Sequence, residues 1–311
     1  MPHEYTKDIG PCIYYHLNDV KILGRYWLHF RPFKVLDRYR QTGDPITLRG
    51  ALGRIARRIS CLSSLLKPTH HIQEAIWAHD DWINNYFHWT TDVLPKLIAW
   101  GETRHQCNTL LIPHKLLNKS YVKDSIQLLD FQATAITDAC SLAIDNLWGI
   151  KETAPRGNFR SDLLNELRKK LAGANTSPPK ISIYISRSDA KSRQTTNESD
   201  LIAKIKNVIN IIQLDGVNFS GQIHLFSDCK QLIGPHGAGL TNMLWMPKGG
   251  EVIEIRRRGD RHNNCYFSMA SALGHHYSYI EADAMNESQP TQEANLHLKI
   301  NDLTQLIKSF P

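Results

Sequence analysis

From residue 180 onward, short apolar runs switch between a two-residue and a 3.6-residue period, and this alternation constrains the fold more than any other feature of the chain. Lys180-Ile181-Ser182-Ile183-Tyr184-Ile185-Ser186 alternates as a strand does. Leu201, Ile202, Ile205, Val208, Ile209 and Ile212 recur at helical spacing. Residues 222–226 alternate again and predict a short strand. Residues 231–233 predict another, which runs into Gly234-Pro235-His236-Gly237-Ala238-Gly239 and a helix start at Leu240. Residues 251–255 read as a further strand, and Leu298 to Phe310 as a closing amphipathic helix. Strands and helices in this order predict an α/β fold, with a parallel sheet covered by helices on both faces.

The polar, proline-containing stretch 173–179 follows an amphipathic run (Leu163, Leu164, Leu167, Leu171) and divides the chain into domains of 1–175 and 176–311, the last helix being free to pack back on the first. With 311 residues, 41% of them hydrophobic and 22% charged, each half can bury a core. The first half predicts a helix over 83–100, a strand over 109–113 and a basic amphipathic segment over 48–66. A formal charge of +7 suits an anionic ligand, an anionic membrane surface or nucleic acid without choosing among them. The basic runs at Arg54, Arg57 and Arg58 and at Arg256–Arg258 lack an aromatic RNA-binding signature. They read as solvated faces or as a contact to anionic lipid. Six scattered cysteines without a CxxC pair fit a reducing compartment. The first residues lack the apolar core of a signal peptide, and no apolar run approaches a membrane span. The expectation is a cytoplasmic protein.

Three groups of residues can carry chemistry. Arg187 follows a strand end, with Arg193 a short loop away and Asn197-Glu198 opening a helix. Two guanidinium forks there can hold a diphosphate; alternatively they form a solvated loop in which Arg193 pairs with Glu198. In the turn Gly234–Gly239, small residues let backbone approach a phosphate at a helix N-terminus, and His236 can donate to a phosphate or ribose oxygen or serve as a structural histidine. Asn84, His88 and Asp92 are spaced i, i+4, i+8, so on a helix they share a face. A carboxylate one turn from an imidazole can orient it as a general base; a polar N-terminal cluster is the plain alternative. Pro95 should kink or tighten this helix. No Asp-x-Asp occurs, so the usual carboxylate clamp for a metal–diphosphate complex is missing, and the adjacent pairs His70-His71 and His275-His276 lack helical ligand spacing.

Taken in order, these motifs resemble the glycosyltransferase family 61 proteins of capsular, lipopolysaccharide and xylan biosynthesis. The matching pieces are Asn85-Tyr86-Phe87-His88-Trp89 with Asp92-Val93-Leu94-Pro95, the strand ending at Arg187, Arg193 with Asn197-Glu198, Gly234 through Asn242-Met243, and Met246-Pro247 with Val252-Ile253-Glu254-Ile255. The resemblance covers about residues 75–260. It implies a GT-B-like fold, two Rossmann-like domains facing across a cleft, and an inverting transfer that needs no metal or other cofactor. It implies a C-terminal domain that binds a nucleotide-sugar through Arg187, Arg193, Asn197, Glu198, His236, Gly237, Ala238, Gly239 and Asn242, with Glu254 accepting from ribose hydroxyls. It implies a glycan or lipid-linked acceptor held near Asn84 and Asn85 by the N-terminal domain, with His88 as base and Asp92 orienting it. The expected setting is surface polysaccharide synthesis at the inner face of a membrane, without nucleic acid. A non-catalytic nucleotide-sugar- or carbohydrate-binding scaffold of an assembly complex would need the donor site but no base.

Overall fold

The structure is a computed structural model that describes residues 9–23, 26–29, 34–36, 67–79, 82–173, 178–188, 190, 192–261, 264–291 and 293–308. The basic segment 48–66 lies outside them. The chain divides into two compact units, Pro11–Thr153 and a second that runs from Ala154 onward and includes Gly10.

The first unit is built on a seven-stranded mixed sheet of order β3-β2-β1-β7-β4-β5-β6. Its strands are β1 (Tyr14–Leu23), β2 (Tyr26–His29), β3 (Lys34–Leu36), β4 (Thr69–Trp77), β5 (Thr109–Pro113), β6 (Gln132–Ile136) and β7 (Ser141–Ile150). β7, β4, β5 and β6 are parallel, and β1 to β3 extend the sheet antiparallel from β7. Val20, Ile22, Ala75, Trp77, Leu111, Leu142, Ile144 and Leu147 form its core. Helices α1 (Leu94–Gly101) and α2 (Ser120–Leu128) connect the parallel strands.

The second unit opens with α3 (Ser161–Ala172), which buries Leu163, Leu164 and Leu167. Arg168 Nη1 on α3 donates to Met246 O at 2.8 Å, and Ser161 Oγ donates to Ala272 O at 2.5 Å. The units therefore part between Thr153 and Ala154, before the amphipathic run, rather than at the polar stretch near residue 176. Its six-stranded sheet has the order β13-β12-β11-β10-β8-β9. The strands are β8 (Ile181–Ile185), β9 (Asn210–Ile212), β10 (Cys229–Pro235), β11 (Glu251–Arg257), β12 (His276–Ala284) and β13 (Leu296–His297). All run parallel except β13. The connectors are α4 (Glu198–Ile205), α5 (Phe219–Ser227), a 3-10 helix (Ala238–Trp245), α6 (Cys265–Leu273) and the closing α7 (Ile300–Lys308). Leu303, Leu306 and Ile307 of α7 join the core of this same unit, against Leu201, Ile205 and Leu298.

The expected α/β class holds, as two mixed sheets. Two local expectations do not. Residues 222–226 lie inside α5, where Phe219, Ile223 and Phe226 are buried at i, i+4, i+7. The helical run 201–212 stops at Ile205; Val208 is 72% exposed and Asn210–Ile212 is a strand. The β-branched cluster Val208, Ile209, Ile211 and Ile212 favours extended backbone over a continued helix. Among the described residues no helix is long and apolar enough to cross a membrane.

The strand order positions the site. From β8 the chain passes through α4 to β9 on one side, and β10 lies on the other. The connections leaving β8 and β10 diverge, which opens a crevice beyond their carboxyl ends, where open α/β sheets bind ligands.

Candidate active site

Arg187 and the turn Gly234–Gly239 sit at the carboxyl ends of β8 and β10 respectively, on either side of this switch point. Glu198, almost fully buried at the start of α4, organises the first loop. Its Oε1 accepts from Tyr184 OH (2.8 Å) and Arg187 N (3.2 Å), and its Oε2 from Ser186 Oγ (2.9 Å). Glu198 thus positions the Arg187 loop, and it is not a partner of Arg193. Asn197 ties the loop to the far edge of the sheet: its Nδ2 donates to Leu298 O and its Oδ1 accepts from Leu298 N. Its amide is used within the fold.

The two arginines frame the glycine turn. Arg187 Nη2 donates to Ser192 O at 3.1 Å, and its Nη1 lies so near Gly237 that a Cβ there would come within 2.7 Å of it. Arg193 Nη1 donates to His236 O at 2.8 Å. Arg193 has φ +55, a left-handed conformation that costs a non-glycine residue on the order of 1 kcal/mol or more. The bonds Gln194 N to Asn295 Oδ1 and Leu296 N to Gln194 O hold the next residue on the edge strand and sustain that conformation. Both Nε groups are buried without a hydrogen-bond partner. Burial first, and then the neighbouring Arg193 charge, push the Arg187 guanidinium below its ordinary pKa. Two crowded, partly desolvated cations with unused donors are what an anion would relieve.

His236 Nδ1 donates to Glu254 Oε1, and Tyr277 OH donates to Glu254 Oε2. Glu254 is fully buried, and both its oxygens are engaged, one of them orienting His236. The Tyr266 ring meets His236 edge-on at 5.0 Å between centroids. Asn242 is buried and donates to Gln222 Oε1 and Gly239 O, so it braces the 3-10 helix. Gly239 admits Ile185 and Leu214, which a Cβ would meet at 3.1–3.2 Å. Ala238 starts the 3-10 helix.

In the first unit, Tyr86–His88 forms one α-turn, Trp89–Val93 a π-helical turn, and α1 follows. Leu94 N bonds Trp89 O, an i to i−5 step. Pro95 explains it: in a continuous α-helix its ring would meet the Thr91 carbonyl and its missing N–H would leave that carbonyl unpaired. His88 Nδ1 donates to Asp92 Oδ2 at 2.7 Å. Thr91 Oγ1 lies 2.8 Å from Phe87 O and 3.1 Å from Asp92 Oδ1, within donating reach of both. The His88 and Asp92 side chains are 26% and 36% exposed, so the outer ring nitrogen can meet a ligand. Asn84 lies in the preceding turn, off the helix, and its carbonyl accepts from Tyr121 OH at 2.9 Å. The Asn85 side chain caps the helix by accepting from Phe87 N.

A family model described as Glycosyltransferase 61 matches residues 86–253, more than half of the chain. The chain belongs to that family. Three relatives are each described as an EGF domain-specific O-linked N-acetylglucosamine transferase. The Drosophila melanogaster protein is 29% identical over 143 residues, 43% of this chain and 27% of the relative. The Bos taurus protein is 30% identical over 104 residues, 32% and 19% of the two chains. The Gallus gallus protein is 29% identical over 125 residues, 38% and 23%. The matched part of the chain thus spans about a quarter or less of these relatives.

The family match takes in His88, Asp92, Arg187, Arg193 and the glycine turn, and ends one residue before Glu254. Sequence reasoning missed Tyr184, Ser186, Tyr266 and Tyr277. Tyr184 and Ser186 were signalled, since Tyr184 puts a hydroxyl inside β8 and Ser186 another just past its end. Tyr266 on α6 and Tyr277 on β12 come from later elements, and the fold brings the first against His236 and the second onto Glu254.

Proposed function

We propose that this protein is an inverting, metal-independent glycosyltransferase that moves a sugar from a nucleotide-sugar to a hydroxyl acceptor, with its two units in the GT-B arrangement. The observation that carries the reading is the pair Arg187 and Arg193 at the β8/β10 switch point, crowded together with unpaired buried Nε donors. Negative charge develops on the diphosphate as the glycosidic bond breaks, so donors aimed there lower the barrier as well as bind. Two guanidinium groups supply the charge that an Asp-x-Asp-bound cation supplies elsewhere. His236, held by Glu254, adds a third donor. His88, oriented by Asp92, takes the proton of the attacking acceptor hydroxyl through its outer nitrogen. The relatives' described activity supports N-acetylglucosamine as the first sugar to test. A glycan or lipid-linked acceptor of surface polysaccharide synthesis, met at the inner face of a membrane in the cytoplasm, completes the proposal.

The test is a panel of nucleotide-sugars read by thermal shift and by slow donor hydrolysis, with and without EDTA. Stabilisation by at least one donor and hydrolysis insensitive to EDTA are expected. No response to any donor or nucleoside diphosphate contradicts the reading. His88→Ala should keep donor binding and lower transfer by roughly 10²-fold or more. Unchanged transfer would place the base elsewhere, whereas donor binding with no transfer by the wild type would favour the non-catalytic scaffold.

A further inference from the structure

Trp82 stands immediately before the His88 helix and is 57% exposed, whereas Trp77, Trp89, Trp100 and Trp245 are each at most 2% exposed. A lone exposed aromatic means little on a monomer surface. This one lies next to a candidate catalytic group: its ring centroid is 5.9 Å from that of His88, at 39° between planes. The turn beneath it is fixed. Asn85 N donates to Trp82 O at 3.2 Å, Trp89 N to Asn85 O at 3.0 Å, and Tyr121 OH to Asn84 O at 2.9 Å, with Tyr121 edge-on to Tyr86 at 5.5 Å. Asn84 and Asn85, in the same turn, are exposed.

We propose that Trp82 is an acceptor subsite, an indole face that stacks on a pyranose ring while a hydroxyl of that ring reaches His88. The proposal rests on His88 lying at the acceptor end of the site. A pyranose has an apolar C–H face and a rim of hydroxyls. It fits a flat aromatic surface near polar side chains, and the Trp82 turn carries the exposed Asn84. A ring at van der Waals distance from the indole, about 3.5–4 Å, extends its hydroxyl rim over an imidazole centred only 5.9 Å from the indole centre. The fixed turn lets the platform bind with little ordering cost.

The experiment labels the full chain with 5-fluorotryptophan and follows its 19F resonances, that of Trp82 being assigned by its loss in Trp82→Phe. The probes are the methyl β-pyranosides of glucose, galactose, xylose and N-acetylglucosamine. The Trp82 line should shift saturably while the other tryptophan lines do not. Trp82→Ala should weaken pyranoside affinity about tenfold or more by ligand-observed NMR and leave nucleoside diphosphate affinity unchanged. His88→Ala should preserve the Trp82 shift. If transfer survives His88→Ala while the shift persists, the base assignment fails and the platform stands. No selective Trp82 shift with any pyranoside, or a shift only with a Ser/Thr peptide, overturns the proposal, the second outcome in favour of a polypeptide acceptor.

Discussion

At the scale of single residues, the site depends on contacts that a small change can break. Gly237 has φ 168, extended backbone that any residue adopts, so its glycine is required for space rather than for conformation. A Cβ there would come 2.7 Å from Arg187 Nη1. Gly237→Ala should therefore displace the guanidinium and weaken nucleoside diphosphate binding about tenfold or more, with the melting temperature little changed, because the clash is with the end of a long side chain. Calorimetric titration alongside a thermal melt checks this, and unaltered affinity would remove Arg187 from the site. Glu254→Gln keeps the shape but gives up the charge that holds His236. A hydrogen bond to a charged group contributes about 1.5–3 kcal/mol, so affinity for the diphosphate should fall about tenfold or more. Equal affinity would leave Glu254 with a packing role alone. The arginines, the histidines and the glycine turn were legible in the sequence because each follows a strand end or sits at helical spacing. The hydrogen-bond partners of Glu198, Asn197, Asn242 and Glu254 were not. Whether a polar side chain faces a ligand or braces a loop depends on partners far away in sequence, such as Leu298 for Asn197 and Tyr277 for Glu254.

At the scale of elements, the junction of α6 and β12 carries a pH dependence. His275 is buried, its Nε2 donates to Met243 O at 2.9 Å, and burial pushes its pKa down from 6.5 to about 4. A histidine whose pKa is lower folded than unfolded takes up its proton preferentially when the chain unfolds. Its neutral form therefore fits the fold without penalty above pH 6.5, and acidification from 6.5 toward 4 costs stability, approaching about 3 kcal/mol at the lower end. Urea midpoints at pH 7 and pH 4.5 should separate more in the wild type than in His275→Gln, which keeps a donor for Met243 O but does not titrate. Identical pH dependence in both would contradict this. The errors in reading elements have physical causes. Residues 222–226 alternate by chance, and the helical signal spans Phe219, Ile223 and Phe226 instead. Helical spacing also ran on past Ile205 because β-branched residues continued at the same interval, although they suit a strand better. The π-turn at Trp89–Val93 was foreshadowed by Pro95, but its form depends on which carbonyls stay paired.

At the scale of the whole molecule, each of the two α/β units has a carboxylate–imidazole pair among its candidate site residues, His88 with Asp92 in the first and His236 with Glu254 in the second. Among the described residues, the second lies beside the paired Arg187 and Arg193. The order of the parallel strands in the second unit, β9-β8-β10-β11-β12, generates the crevice. Periodicity predicted a parallel sheet but could not supply that order, because β9 was read as helix. The measurement that tests the account most directly is calorimetric titration of nucleoside diphosphates into the full chain and into Arg187→Ala and Arg193→Ala, in EDTA. The account predicts saturable binding by the wild type without added metal and a loss of about tenfold or more in each variant. Wild-type binding that neither variant weakens would contradict it.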